Sequence, residues 1–143
     1  MPLNKRNILL FLFFSVSVNL LFAQKKFEQY GVATYYADYF QGRYTSSGEI
    51  FNTNLYTAAH ATLPFQTLIK VTNLTNNLSV IVKINDRCPY SYNRILDLSK
   101  APATKLDIIS AGIANVKIEV VSPADLNYIN NKPDSLFIPS YKK

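Results

Sequence analysis

Three side chains in this sequence are of the types that acid–base chemistry uses: Asp86, Glu49 and His60. Asp86 lies in Ile84-Asn85-Asp86-Arg87-Cys88-Pro89, which ends the β-branched run Val80-Ile81-Val82-Lys83-Ile84. Such a run suits a pleated, half-buried strand. Pro89 has no backbone N–H and biases Cys88 toward extended geometry, so pairing is expected to stop here and a rigid turn to aim Asp86 and Arg87. Taken alone, Asp86 reads as a turn cap paired with Arg87. Glu49 ends a Gly/Ser-containing loop, where an isolated carboxylate is a solvated charge, and the only histidine, His60, closes a short apolar segment, where it is more often hydrogen-bonded structure than catalyst. Two carboxyls and an imidazole on one groove can shuttle a proton. Whether they meet depends on the elements between them.

Those elements read as short strands. Gln29 to Tyr36 is aromatic and β-branched with no helical period, and Ala37 to Glu49 follows as a loop containing Gly42-Arg43-Tyr44-Thr45-Ser46-Ser47-Gly48. Leu55 to His60 is a short buried segment, and Leu63-Pro64-Phe65 turns the chain. Thr67–Leu74 and Ser79–Ile84 flank the polar Thr75-Asn76-Asn77 as a hairpin. Arg94–Ser99 resumes extended structure, Ser99 is placed to cap a helix from Lys100 to Leu106 with Pro102 in its first turn, and Ala114–Val121 is a last alternating strand. Asp97 is expected to be buried and paired, with Arg94 structural. Six short strands in about 95 residues predict an all-β fold, a small closed barrel with one or two short helices, because closure removes exposed edges.

Composition narrows the function classes. The chain has 143 residues, enough for one domain with appendages. Its first 23 residues, with Lys5-Arg6, an apolar run from Ile8 to Phe22 and Ala23, have the layout of an export signal; without those two cations the formal charge falls from +6 to +4. The rival reading of that run is an uncleaved membrane anchor. No Lys/Arg run or nucleic-acid module is present, so the mild positive charge points to solubility or an anionic matrix and not to nucleic acid. One cysteine and one histidine exclude an intrachain disulfide and a Cys/His zinc site, and no metal or cofactor is expected. No cysteine follows the apolar run, so no lipid anchor is expected there. The domain is expected over 27–122, as a monomer, with 123–143 as a loosely docked extension.

Taken together, Thr45-Ser46-Ser47-Gly48-Glu49, Ala58-Ala59-His60, Thr62-Leu63-Pro64-Phe65, Val71-Thr72-Asn73-Leu74, Asn85-Asp86-Arg87 and Arg94-Ile95-Leu96-Asp97-Leu98-Ser99 occur in this order at short intervals. This pattern resembles the RlpA-like double-psi β-barrel family of bacterial cell-envelope proteins, from about Tyr30 to Val121. The resemblance implies a six-stranded double-psi barrel, export to the periplasm, cell envelope or medium, and lytic transglycosylase activity on peptidoglycan glycan strands, preferring strands stripped of stem peptides. It places Glu49, His60 and Asp86 on the family's functional positions. Cys88 stands where the family usually has Gly, Ala37 and Gln66 replace common glycines, and Tyr35 stands where Trp is frequent. The repeat domain that often follows such a barrel is not expected here.

On that resemblance Asp86 is the acid/base, protonating the glycosidic oxygen and then accepting a proton from the muramic acid C6 hydroxyl, with its pKa raised if loop and sugar exclude water. Glu49 would stabilise the oxocarbenium-like transition state or share the acid role, and His60 would orient either carboxyl. Tyr35, Tyr36 and Tyr44 are candidates to stack on sugars, Arg43 and Arg87 to bind carboxylates or hydroxyls, and Thr45 to line the site. Core tyrosines and structural arginines are the plain alternative. The rival functions are a non-catalytic, expansin-like carbohydrate-binding module and a hydrolase with a second carboxylate activating water.

Overall fold

The structure, a computed structural model, describes residues 26–89, 91, 93–122 and 124–126. The expected export signal and nearly all of the C-terminal extension lie outside these residues. The strands are β1 (Glu28–Tyr35), β2 (Thr57–Ala59), β3 (Leu68–Asn73), β4 (Ser79–Asp86), β5 (Arg94–Leu98) and β6 (Ala114–Val120). A 3₁₀ turn (Asp38–Phe40) and a helix, α1 (Lys100–Lys105), accompany them, and among the described residues 124–126 are also helical.

The strands close into a barrel in the order β1-β5-β2-β4-β3-β6. Pairs β1/β5 and β2/β4 are parallel and the others antiparallel. β1 and β2 are not neighbours but flank β5, so the chain crosses over between them, and this connection, residues 36–56, carries Glu49. The period-2 patterns decide which side chains enter the barrel. Ile69 and Val71 of β3, Val80, Val82 and Ile84 of β4, Leu96 and Leu98 of β5, and Val116 and Ile118 of β6 form one cluster, closed at an end by Leu106 and Ile108. Full burial of each such side chain is worth about 1.5–3 kcal/mol, so this cluster is the main source of stability in a domain without a disulfide.

Gly31 marks the tightest approach of β1 to β5. A Cβ there would lie 2.6 Å from Ile95 Cγ2 and 2.8 Å from the Asn93 carbonyl oxygen, so backbone itself would have to move. Ser99 does not cap α1 through its side chain. Its hydroxyl instead donates to the Leu55 carbonyl and accepts from the Thr57 N–H at 3.1 Å, stitching the crossover to β2. Asp97 is paired as expected, though half-buried and not buried: the Thr34 hydroxyl donates to it and Arg94 Nε lies 3.6 Å away.

The end of β4 departs from regular pairing. Ala58 faces Ile84, yet the next residue, Ala59, faces Asp86, leaving Asn85 as an extra residue opposite β2. Such a bulge re-aims the side chains that follow it. Ala58 and Ile84 face the core, and on the neighbouring strand Ala58 pairs with Leu98 while Ala59 pairs with Asp97. Asp86 therefore leaves the strand on the side of Ala59 and Asp97, away from the core.

Candidate active site

The crossover folds back on this strand end. Tyr44 bridges Ile50, the Thr45 N–H donates to the Glu49 carbonyl at 2.8 Å, and the Ser47 N–H donates to the Asn85 carbonyl at 3.3 Å. Gly48, at φ 89°, occupies the left-handed conformation that lets this loop turn tightly. One short loop thus reaches both carboxylates.

Asp86 is held by neutral donors. Its Oδ1 accepts the backbone N–H groups of Ser46 and Arg87, each at 2.8 Å, and its Oδ2 accepts the Tyr36 hydroxyl at 2.6 Å. Partial burial opposes its charge, but the bonds from Tyr36, from the N–H and hydroxyl of Ser46, and from the Arg87 N–H outweigh it. The carboxyl is kept below its usual 3.8. In the free protein its pKa is therefore lowered, because the loop brings hydrogen-bond donors along with the burial; the rise expected when loop and sugar exclude water concerns the sugar-bound site.

Glu49 is held by a cation and two amides. Oε1 accepts from Gln66 Nε2 at 2.8 Å and Lys83 Nζ at 2.9 Å, and Oε2 accepts from Asn85 Nδ2 at 2.9 Å. Burial again opposes ionisation, but the bonds from Asn85, Gln66 and Lys83 pull the carboxyl down to about 2. Lys83 and Asn85 lie two residues apart on β4 and so share a face, the one on which Glu49 sits. Gln66 makes its bond from a left-handed backbone, φ 70°, a conformation that favours glycine.

His60 does not join the two carboxylates. Its Nδ1 accepts the N–H groups of Thr62 and Leu63 at 3.1 and 3.0 Å, so the proton is on Nε2, which meets Gln29 Oε1 at 3.0 Å. Burial, with a smaller contribution from Arg87, keeps the ring below its usual 6.5 and neutral. The imidazole organises the 60–63 turn and ties it to β1. Only its backbone approaches Asp86, through the His60 N–H to the Asp86 carbonyl at 3.2 Å. The expected orienting contact is replaced because two main-chain donors in the turn claim the ring first.

The remaining expected site residues divide by exposure. Tyr35 is partly buried against the core and donates its hydroxyl to the Ile109 carbonyl at 3.3 Å. Tyr36 is wedged between Phe40 and Phe51, with centroids at 5.5 and 4.6 Å, and spends its hydroxyl on Asp86. Thr45 is buried, its hydroxyl bonded within the loop to Ser47 and the Glu49 carbonyl. Arg87 stacks on Phe65 at 3.9 Å, and its guanidinium donates to the His60 carbonyl at 3.2 Å. Arg43 and Tyr44 face solvent, Tyr44 at 78% exposure.

Sequence reasoning missed Tyr39, 65% exposed, which stacks on Phe40 at 4.2 Å with the Arg43 guanidinium 5.4 Å from its ring. The cue was an aromatic pair just before Gly42-Arg43. It also missed Lys83 and Asn85 as holders of Glu49, although their spacing on one strand face was readable. Cys88 is buried, with its thiol 3.6 Å from the Ala59 carbonyl oxygen, and burial pushes the thiol pKa up, so it fills the turn as an inert group. Among the described residues no group of three or more His, Cys, Asp or Glu is placed to hold a metal ion.

A closed six-stranded mixed barrel with a long crossover bent over one strand end is the double-psi β-barrel architecture. The Streptomyces papain inhibitor has this fold, with a TM-score of 0.54 and 22% identity over 67% of this chain and 96% of its own. A Clavibacter michiganensis expansin crystallised with cellohexaose matches with a TM-score of 0.52 and 19% identity, over 67% of this chain and 51% of its own. At these identities the likeness shows the fold alone. Residues 28–118 match the profile of the double-psi barrel family described as lytic transglycolase, and the chain belongs to that family.

Its relatives include the probable endolytic peptidoglycan transglycosylase RlpA of Treponema pallidum, 57% identical over 93 residues, which are 65% of this chain and 29% of that protein. The endolytic peptidoglycan transglycosylase RlpA of Campylobacter jejuni is 50% identical over 101 residues, 71% of this chain and 37% of that protein. The match spans about a third of the length of these curated relatives.

Proposed function

We propose that this chain is an exported, endolytic lytic transglycosylase of peptidoglycan, cutting MurNAc–GlcNAc bonds and leaving 1,6-anhydroMurNAc ends, with Asp86 as the single acid/base. The observation that carries the choice of Asp86 over Glu49 is the nature of their partners. Glu49 is bonded to an ammonium group and stays ionised, whereas every hydrogen bond to the Asp86 carboxylate comes from a neutral donor, the Arg87 guanidinium reaching only the Asp86 backbone carbonyl at 3.4 Å. A bound sugar that displaces water removes the solvation that favours the Asp86 anion, and no bonded cation opposes its protonation.

The steps balance on one carboxyl. Protonated Asp86 gives its proton to the glycosidic oxygen as the bond from C1 of MurNAc to that oxygen breaks. The C6 hydroxyl of the same sugar then attacks C1, and its proton passes to the Asp86 carboxylate, restoring the acid. Glu49, permanently anionic, stabilises the positive charge that develops at C1. Tyr39, Arg43 and Tyr44 supply an exposed aromatic and cationic surface on the same crossover for neighbouring sugars or their carboxylates. His60 is assigned to holding the turn beside Asp86.

A second reading has a specific observation behind it: in the free protein both carboxylates are held ionised, which suits a module that grips glycan without cutting it. Incubation with purified sacculi and mass spectrometry of the soluble products separates the readings. Anhydro-ended fragments from wild type and none from Asp86→Asn, with the fold retained by circular dichroism, are expected. Reducing ends would instead make it a hydrolase, and retention on sacculi without products would make it a binder. Cutting by Asp86→Asn at the wild-type rate would remove Asp86 from the chemistry.

A further inference from the structure

We propose that Tyr36 is the positioning residue for Asp86: its hydroxyl holds Oδ2 as the working oxygen and governs how readily that oxygen takes a proton. The proposal deepens the reading of Asp86 as acid/base and rests on it. The two carboxylate oxygens are unlike. Oδ1 is clamped by two backbone N–H groups, at Ser46 and Arg87, which cannot turn away, so a proton on Oδ1 would face two donors. Oδ2 faces a phenol hydroxyl, which donates to the anion and can rotate to accept from the acid. A proton arriving at Asp86 therefore belongs on Oδ2.

Three features suit Tyr36 to this task. Its ring is gripped by Phe40 and Phe51, so the hydroxyl has one place to reach. Burial, reinforced by the bond to Asp86 and by the negative charge of Asp86 and Asp97, pushes its own pKa far up, so it stays protonated and does not take over the acid role. The other charged or titratable groups around the pair are each engaged elsewhere. Asp97 of β5 is bonded to Thr34 and lies beside Arg94, and the Cys88 thiol points to the Ala59 carbonyl. The Arg87 guanidinium lies on Phe65 and donates to the backbone carbonyls of His60 and Asp86 but not to the carboxylate, the His60 ring meets Gln29, and Glu49 is paired with Lys83.

The test follows the Asp86 carboxyl directly by carbon-13 NMR titration and, in parallel, the pH profile of anhydro-product release from sacculi. In Tyr36→Phe the Asp86 titration is expected to move up by about one pH unit, the scale of one lost hydrogen bond to a charged group, and the alkaline limb of activity, where the protonated form of Asp86 is lost, to move up with it. Ser46→Ala, which removes only the weaker hydroxyl contribution, should move both by less. If Tyr36→Phe does not fold, 3,5-difluorotyrosine at position 36 keeps the shape, strengthens the donor and should move the titration down. An unchanged Asp86 titration in the phenylalanine or difluorotyrosine protein overturns the proposal. A shifted titration with an unmoved activity profile keeps the Tyr36–Asp86 coupling and overturns Asp86 as the acid/base.

Discussion

The two carboxylates of this domain are reached by one loop yet sit in different surroundings. Glu49 lies over the side chains of Lys83 and Asn85 and is fixed by a cation, while Asp86 lies beyond the bulge and is fixed by backbone amides and hydroxyls. Both are hydrogen-bonded and partly buried, so neither property distinguishes a fixed charge from a carboxyl that can be protonated. The charge of the partners does. A neutral donor loses little when a carboxylate gains a proton, whereas an ammonium group 2.9 Å away loses its counter-charge.

The largest expected effect on this contrast comes from the carboxyls themselves. Glu49→Gln should cut faster than Asp86→Asn but slower than wild type, by about tenfold, since a neutral amide keeps the loop bonded but removes the anion. Equal, complete loss in both variants would erase the distinction. Next, Lys83→Met should raise the Glu49 pKa from about 2 toward its usual 4.5, read by NMR, while leaving the Asp86 titration in place. Movement of Asp86 instead would show the two environments to be one.

A third variant concerns the turn beside them. His60→Ala strands the Thr62 and Leu63 N–H groups and opens a cavity, so about 2–3 kcal/mol of stability should be lost, a fall of about 10 °C or more in Tm. Its rate per folded molecule at low temperature should stay near wild type, and a rate collapse in folded protein would return the imidazole to the chemistry. The smallest effect is in acid. The Glu49 pKa is lowered on folding, so its contribution is present above pH 4.5 and fades as pH falls toward about 2. The stability gap between wild type and Glu49→Gln, measured by urea unfolding, should narrow over that range; a constant gap would mean that Glu49 carries no linked proton.

The architecture was legible because its signals are local. Alternating β-branched runs located the strands to within a few residues, and the Thr75-Asn76-Asn77 turn located the β3/β4 hairpin. The loop carrying Glu49 and the strand end carrying Asp86 were also readable, and the structure brings them together. What the sequence hid was the company each side chain keeps. His60 and Tyr35 have the types of site residues, but two turn amides and a carbonyl after α1 claim them. The lowered pKa of Asp86 in the free protein depends on Tyr36 and Ser46, 50 and 40 residues away in the chain. The extra residue at Asn85 leaves no mark in a run of alternating residues, since bulges are defined by the partner strand.

That irregularity opposite Ala58 and Ala59 also limits how such a domain can be redesigned. Straightening the ladder with Asn85 kept, so that Asn85 and not Asp86 faced Ala59, would turn Asp86 inward among isoleucines and leucines, because it stands two residues after the core-facing Ile84. Here a flaw in the weave, and not the regular fabric, is what keeps an acid at the surface of an oily barrel.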